Sequence, residues 1–241
     1  MSWIVPNWNA PKNVKAISTT REGGFSSSPF DGLNLGRHVG DDFQTVERNR
    51  HWLMKKAQLP SSPAWLNQTH STHVVVLPLE PNKIVSADAS LANAPGQVCS
   101  VMTADCVPVL FCNSDGTQVA AAHAGWRGLL NGILENTIEK IDGRIIAWVG
   151  PAIRQPRFEV GSEVRQQFID CNGEFDRCFV PSSNAGKWMA DLEQLVSIRL
   201  VDAGVSEITI SGLCTYDDVR FFSYRQHTTT GRQASMIWIE S

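Results

Sequence analysis

Residues Val98 to Gly128, VCSVMTADCVPVLFCNSDGTQVAAAHAGWRG, limit what this chain can fold into more than any other stretch. Val98 to Cys112 is rich in Val, Leu, Phe and Cys; Asn113-Ser-Asp-Gly116 carries turn chemistry; Thr117 to His123 is a second small, apolar run. That order predicts a β-hairpin with a short loop. If Cys112 faces Thr117 across the loop, the same register sets Cys106 opposite His123. Such cross-strand partners have Cβ atoms about 4.5–5.5 Å apart on one face, close enough to share a proton or a metal ion. A slip of one residue would send them to opposite faces.

A cysteine in an apolar strand is ordinarily a small core residue. Three neighbours argue for more here: the charged Asp105 beside the thiol, the cross-strand histidine, and the small, polar segment Gly125-Trp-Arg-Gly128 where the strand ends. The six cysteines contain no CxxC pair and a chain of this size needs no disulfide framework, so a reducing cytoplasm fits best. Pro6 directly after Trp3-Ile-Val5, with no basic segment before it, does not read as a signal peptide, and no run of 18 apolar residues could cross a membrane. Net charge is −3 with Lys and Arg scattered, so nucleic acid is not an expected partner and a small molecule is. The chain has 241 residues and no evident linker, which predicts a single domain over 1–241.

Residues 14–20 alternate as a strand, and Arg21 to Pro29 form a Gly- and Ser-rich loop. Asp42 or Thr45 can cap a helix that Pro60 stops, with Val46, Asn49, Leu53 and Ala57 on its packed stripe. A strand follows over 71–77, entered through His70; Ser86 to Ser90 reads as a turn in which Asp88 could hold an imidazole. His70 and His73 are three residues apart and point to opposite sides of an extended strand, so at most one serves the site; Gln68, whose amide could orient a ring or ligand, favours His70. Leu129, Ile133, Leu134, Ile138 and Ile141 recur at helical spacing after the hairpin. Beyond them come a buried strand at 145–149, a helix at 161–168, a loop at 172–187, a helix at 188–203, and strands at 208–213 and 234–239.

His70, Cys106 and His123 together would make a set of one thiolate and two imidazoles, which suits a catalytic zinc whose fourth position is open. The competing reading needs no metal: Cys106 as nucleophile and His123 as base, a Cys–His hydrolase or amidase. His70 separates the two, because only the metal reading requires it. Arg21, Arg127 and Arg225 are candidates to bind phosphate or substrate, with Asn34 and Gln68 as further substrate-binding candidates.

Across nearly its whole length the chain resembles the YfiH family, long labelled multicopper polyphenol oxidase or laccase-domain proteins. The resemblance is carried by Arg21-Glu-Gly-Gly-Phe-Ser, His38-Val-Gly-Asp-Asp42, Asn49-Arg50, Gln68-Thr-His70, Ala87-Asp-Ala89, Thr103-Ala-Asp-Cys-Val-Pro108, His123-Ala-Gly-Trp-Arg-Gly128, Gly150-Pro-Ala-Ile153, Phe158-Glu-Val160, Cys214-Thr215, Phe222-Ser-Tyr-Arg225 and Gly231-Arg232. One departure is Phe158, where the family often has tyrosine. The resemblance implies a mixed α/β fold, β-sheets flanked by helices, related to a toxin deamidase that uses a Cys–His pair. It implies one zinc ion per chain on His70, Cys106 and His123. It further implies phosphorolysis of adenosine, inosine, guanosine and 5′-methylthioadenosine, and hydrolytic deamination of adenosine; some bacterial members are linked to peptidoglycan editing. Copper is the less favoured metal, because a multinuclear copper oxidase needs many imidazoles and this chain has six histidines.

Overall fold

The structure is a computed structural model and describes residues 3–80 and 84–240. Among the described residues twelve strands lie in three sheets, flanked by five α-helices. Strands β1 (Val14–Ser18), β12 (Gln233–Ile239) and β4 (Val98–Thr103) form an antiparallel sheet with β12 in the centre. A six-stranded mixed sheet runs in the order β11 (Glu207–Ile210), β7 (Ile145–Val149), β5 (Val107–Asn113), β6 (Val119–Ala124), β3 (Ala89–Ala92) and β2 (Val74–Val76).

These two sheets pack face to face because their central strands are apolar on both sides. Leu110, Cys112, Val119, Ala121, Ile146 and Trp148 point toward Val14, Ala16, Val101 and Ile237 of the smaller sheet. The alternate residues Val109, Phe111, Ala120, Ala122, Ala147 and Val149 face the helices instead. Strands buried on both faces read as continuous apolar runs. On that second face lie α2 (Trp126–Asn131), α3 (Ile133–Ile138), α4 (Ser162–Cys171) and α5 (Leu192–Asp202). Helix α1 (Phe43–Lys56) covers the outer face of the three-stranded sheet through Leu53, against Leu33, Leu35, Met102 and Met236. The result is the expected mixed α/β arrangement, with its two main sheets between helical layers.

Local signals explain the ends. Asp42 caps α1 by accepting the Thr45 N–H at 2.8 Å. The apolar run after the hairpin forms two short helices, because Gly132 at φ 96° breaks it between Asn131 and Ile133. Two expectations fail for want of long-range information. Ser86 to Ser90 is not wholly a turn, since Ala89 opens β3 against β6 and β2. Within 172–187, Gly173–Cys178 forms a 3₁₀ helix, while Phe179–Pro181, Lys187 and the start of the expected following helix join a third sheet in the order β8 (Glu159–Gly161), β10 (Lys187–Ala190) and β9 (Phe179–Pro181). Helix α5 therefore begins only at Leu192, capped by Asp191. No helix of the described residues is long and apolar enough to cross a membrane.

Candidate metal centre

The central hairpin exists as β5 and β6, but in a different register from the one expected. Cys112 pairs with Val119 and Pro108 with His123. The Asn113 side chain is the cause: its Oδ1 accepts the N–H groups of Thr117 and Gln118 at 2.9 and 3.0 Å, and so keeps Thr117 out of the ladder. A shift by two preserves the facing of every side chain. Extended by one step, the register sets Cys106 against Gly125, with His123 its diagonal neighbour. The run Val98 to Cys112 is also not one strand, because the bend at Ala104 to Cys106 carries the chain from the three-stranded sheet into the six-stranded one.

Asp105 makes that bend. Its φ is 94°, a region a residue with Cβ rarely adopts. Its carboxylate accepts the Thr215 hydroxyl at 2.7 Å and the Arg225 N–H at 2.6 Å, and its carbonyl accepts the Ile153 N–H at 2.9 Å. Those bonds hold the thiol of Cys106 at the head of β5. His70 sits in a second bend with φ 61°. There the clamp is Asp88: its carboxylate accepts the N–H of His70 at 3.0 Å and the N–H and hydroxyl of Ser71 at 2.6 and 2.7 Å. The same carboxylate receives Nδ1 of His123 at 2.8 Å. One buried carboxylate thus fixes both imidazoles, and with Nδ1–H given to Asp88 the Nε2 lone pair of His123 is left for a metal or a proton. Non-glycine residues in the left-handed region cost on the order of 1–3 kcal/mol and persist where surrounding bonds over-determine them.

Ligand atoms of His70, Cys106 and His123 lie within 4.8 Å of one another, the one group of three such residues among the described residues. Cys106 Sγ is 3.8 Å from His70 Nε2. Bond lengths for zinc of about 2.3 Å to sulfur and 2.0–2.1 Å to nitrogen, at tetrahedral angles, call for a separation of about 3.6 Å. The donor set therefore fits a single ion such as zinc. It does not supply the further imidazole groups of a multinuclear copper cluster. Gly125 makes the approach feasible: a Cβ there would meet the His70 ring at 2.5 Å and Cys106 Sγ at 3.1 Å. Burial opposes charge on the Cys106 thiol, yet His123 and then His70 bring its pKa down to about 6. Burial likewise opposes charge on His123, and the Cys106 thiolate and Asp88 outweigh it, raising the ring to about 9. Asp88 is held at about 2 against its own burial by His123 and Ser71.

The centre opens into a cavity of about 480 Å³ lined also by His38, Gln68, Met102, Thr103, Ala104, Trp126, Arg127, Tyr224 and Arg232. Of the five expected substrate-binding residues, Arg127 and Gln68 are in this wall. The Gln68 amide is spent on β4, giving Nε2–H to the Met102 carbonyl and accepting the Met102 N–H, both at 2.7 Å, so it ties the His70 bend to that strand. Arg21, Asn34 and Arg225 lie outside the lining. Arg21 stacks on Phe222 and donates to the Asp31 carbonyl; Asn34 is fully buried and bonds Gly36, Asp41 and the Arg232 N–H; Arg225 donates to the Glu159 carbonyl and stacks on Phe158. His73 lines a separate cavity with Thr72, Asn136 and Lys140. His38, Tyr224 and Arg232 stand in sequence blocks that carried the resemblance, and those blocks were the only signal that could have found them.

Residues 15–240 match the family described as multi-copper polyphenol oxidoreductase laccase. The chain is similar to the purine nucleoside phosphorylase YfiH of Escherichia coli, 50% identical over 240 residues that cover 98% of each chain. It is 47% identical to a purine nucleoside phosphorylase of Pseudomonas aeruginosa over 243 residues, 99% of each. Among solved structures it is similar to a Neisseria meningitidis protein of the DUF152 family, with a TM-score of 0.95, 43% identity and 100% of both chains covered. Bacillus licheniformis YfiH superposes with a TM-score of 0.87 at 28% identity over 94% of this chain and 93% of that one. Alike in sequence over nearly its whole length and in fold over all of it, the chain belongs to the YfiH family of laccase-domain proteins.

Proposed function

We propose that this protein is a zinc-dependent purine nucleoside phosphorylase that cleaves adenosine, inosine, guanosine and 5′-methylthioadenosine, and that also deaminates adenosine by hydrolysis. The observation that carries the reading is the His70, Cys106 and His123 group at the floor of a cavity that also holds the cation of Arg127; relatives at 47–50% identity bear the phosphorylase name. One zinc per chain would be held by the three side chains, where it would supply Lewis acidity and a water of lowered pKa. Copper could use the same donors and is the less favoured ion.

In phosphorolysis a phosphate oxygen bonds to C1′ of the ribose as the C1′–N9 bond breaks. The bonding pair leaves with the purine, which takes up the proton phosphate carried, and ribose 1-phosphate is the other product. The chain's part is to exclude water, to neutralise phosphate through guanidinium donors, and to hold His123 in the tautomer that Asp88 dictates. A cytoplasmic, single-domain protein over 1–241 is part of the same reading.

A second reading keeps the metal out. The Asp88, His123 and Cys106 side chains form an orienting acid, a base and a thiol in sequence, which suits a Cys–His amidase acting on an amide such as a peptidoglycan precursor. Metal analysis of the purified protein with Cys106→Ala and His70→Ala, using adenosine and phosphate, separates the two. Loss of metal and of ribose 1-phosphate in both variants supports the phosphorylase. Activity that survives His70→Ala and disappears only in Cys106→Ala supports the thiol enzyme.

A further inference from the structure

Arg232 is a cation in the cavity wall that no carboxylate pairs with among the described residues. Its Nη1 donates to the Thr230 and Gly231 carbonyls at 3.1 and 2.9 Å, and Nε and Nη2 have no acceptor among the described residues. Several bonds build its position. The buried Asn34 Oδ1 accepts the Arg232 N–H at 2.9 Å, the Leu35 N–H donates to the Arg232 carbonyl at 3.1 Å, and a Cβ on Gly36 would stand 2.8 Å from Arg232 Cγ. Asn34 thus serves the cavity indirectly, by setting Arg232. Burying a guanidinium without a counter-ion is costly, and burial accordingly lowers the Arg232 pKa, offset in part by Cys106 and Asp105.

Two neighbours share the wall. Arg127 lies over the Trp126 ring at 4.2 Å and has no acid partner among the described residues. Thr103, 2% exposed, has a buried hydroxyl oxygen with no hydrogen-bond partner. Two unpaired guanidinium groups and an unused hydroxyl around one cavity are the donors a tetrahedral oxyanion requires. Arg232 also lies over the Tyr224 ring at 5.8 Å, but Arg21 and Arg225 differ in place: they stand outside the cavity, bonded to the Asp31 and Glu159 carbonyls.

We propose that Arg232 and Arg127, with the Thr103 hydroxyl, form the subsite that holds the phosphate co-substrate beside the His70, Cys106 and His123 centre. The proposal rests on the phosphorylase reading above for what the anion does, and on the cavity alone for where it binds. Inorganic phosphate without nucleoside, titrated into zinc-loaded protein by calorimetry, tests the place. Wild type binds it, Arg232→Gln weakens binding about tenfold or more, and Arg232→Lys recovers part of the loss. In turnover the KM for phosphate rises in Arg232→Gln while the KM for nucleoside holds. Arg127→Gln, at an exposed position where folding is not at stake, gives the same pattern. Unchanged phosphate affinity in both Gln variants, or wild-type protein that binds adenosine 5′-monophosphate through Arg232 but not free phosphate, overturns the proposal. Phosphate binding that depends on Arg232 in a protein forming no ribose 1-phosphate leaves the subsite standing and removes the phosphorylase reading instead.

Discussion

The β5–β6 ladder and the rim at its end are built on different principles, although they touch. In the ladder, Val109, Phe111, Ala120 and Ala122 are fully buried among many equivalent apolar neighbours, and each contributes a modest share. At the rim, two left-handed bends hold the chemistry, and each depends on one carboxylate: Asp88 for His70 and His123, Asp105 for Cys106. Redundant packing tolerates change. A single buried acid that satisfies several donors does not, since its removal orphans all of them at once.

The comparison breaks first at the ligands themselves. Cys106→Ala and His123→Ala should each lower phosphorolysis by about 10³-fold or more while the far-UV circular dichroism spectrum stays native. Next, Asp88→Ala should cost about 3–5 kcal/mol in urea unfolding and weaken metal binding about 10–100-fold. A ladder variant, Phe111→Leu, should cost no more than about 1.5 kcal/mol and leave metal affinity at the wild-type level. Equal metal loss in the two variants would erase the distinction.

The third test concerns charge. In metal-free protein, alkylation of Cys106 should rise as pH increases through about 6, because His123 and His70 stabilise the thiolate. His123→Ala should move that rise upward, toward the ordinary thiol value of 9.0. Gly125→Ala should then reduce metal affinity about tenfold, through the Cβ driven against His70 and Cys106, with a smaller effect on unfolding. Smallest is Asp176→Asn near the third sheet, which removes the exposed pair with Arg165 and should change stability by less than about 1 kcal/mol and activity not at all.

Much of this was legible in the residues. Alternation and turn chemistry marked β1, β5, β6, β7 and β12, since apolar runs buried on both faces need no partner to be recognised. Asp42 announced the start of α1. The His70, Cys106 and His123 group followed from chemistry that few other residues in the chain could supply, and parity survived an error of two in the register. Arg21, Asn34 and Arg225 looked like binders because they stand in polar or distinctive blocks; the fold turns all three toward carbonyls, rings or buried amides.

What the sequence determined alone was therefore the strand order of the hairpin and the identity of the thiol and imidazoles, because side-chain type and local period decide those. Tertiary structure decided the rest. It broke Val98 to Cys112 between two sheets, since Asp105 is held in its bend by Thr215 and Arg225 more than a hundred residues away. It also brought Arg127 and Arg232 to the cavity wall and kept Arg21 and Arg225 out of it, because where a guanidinium ends up depends on which distant segment folds against it.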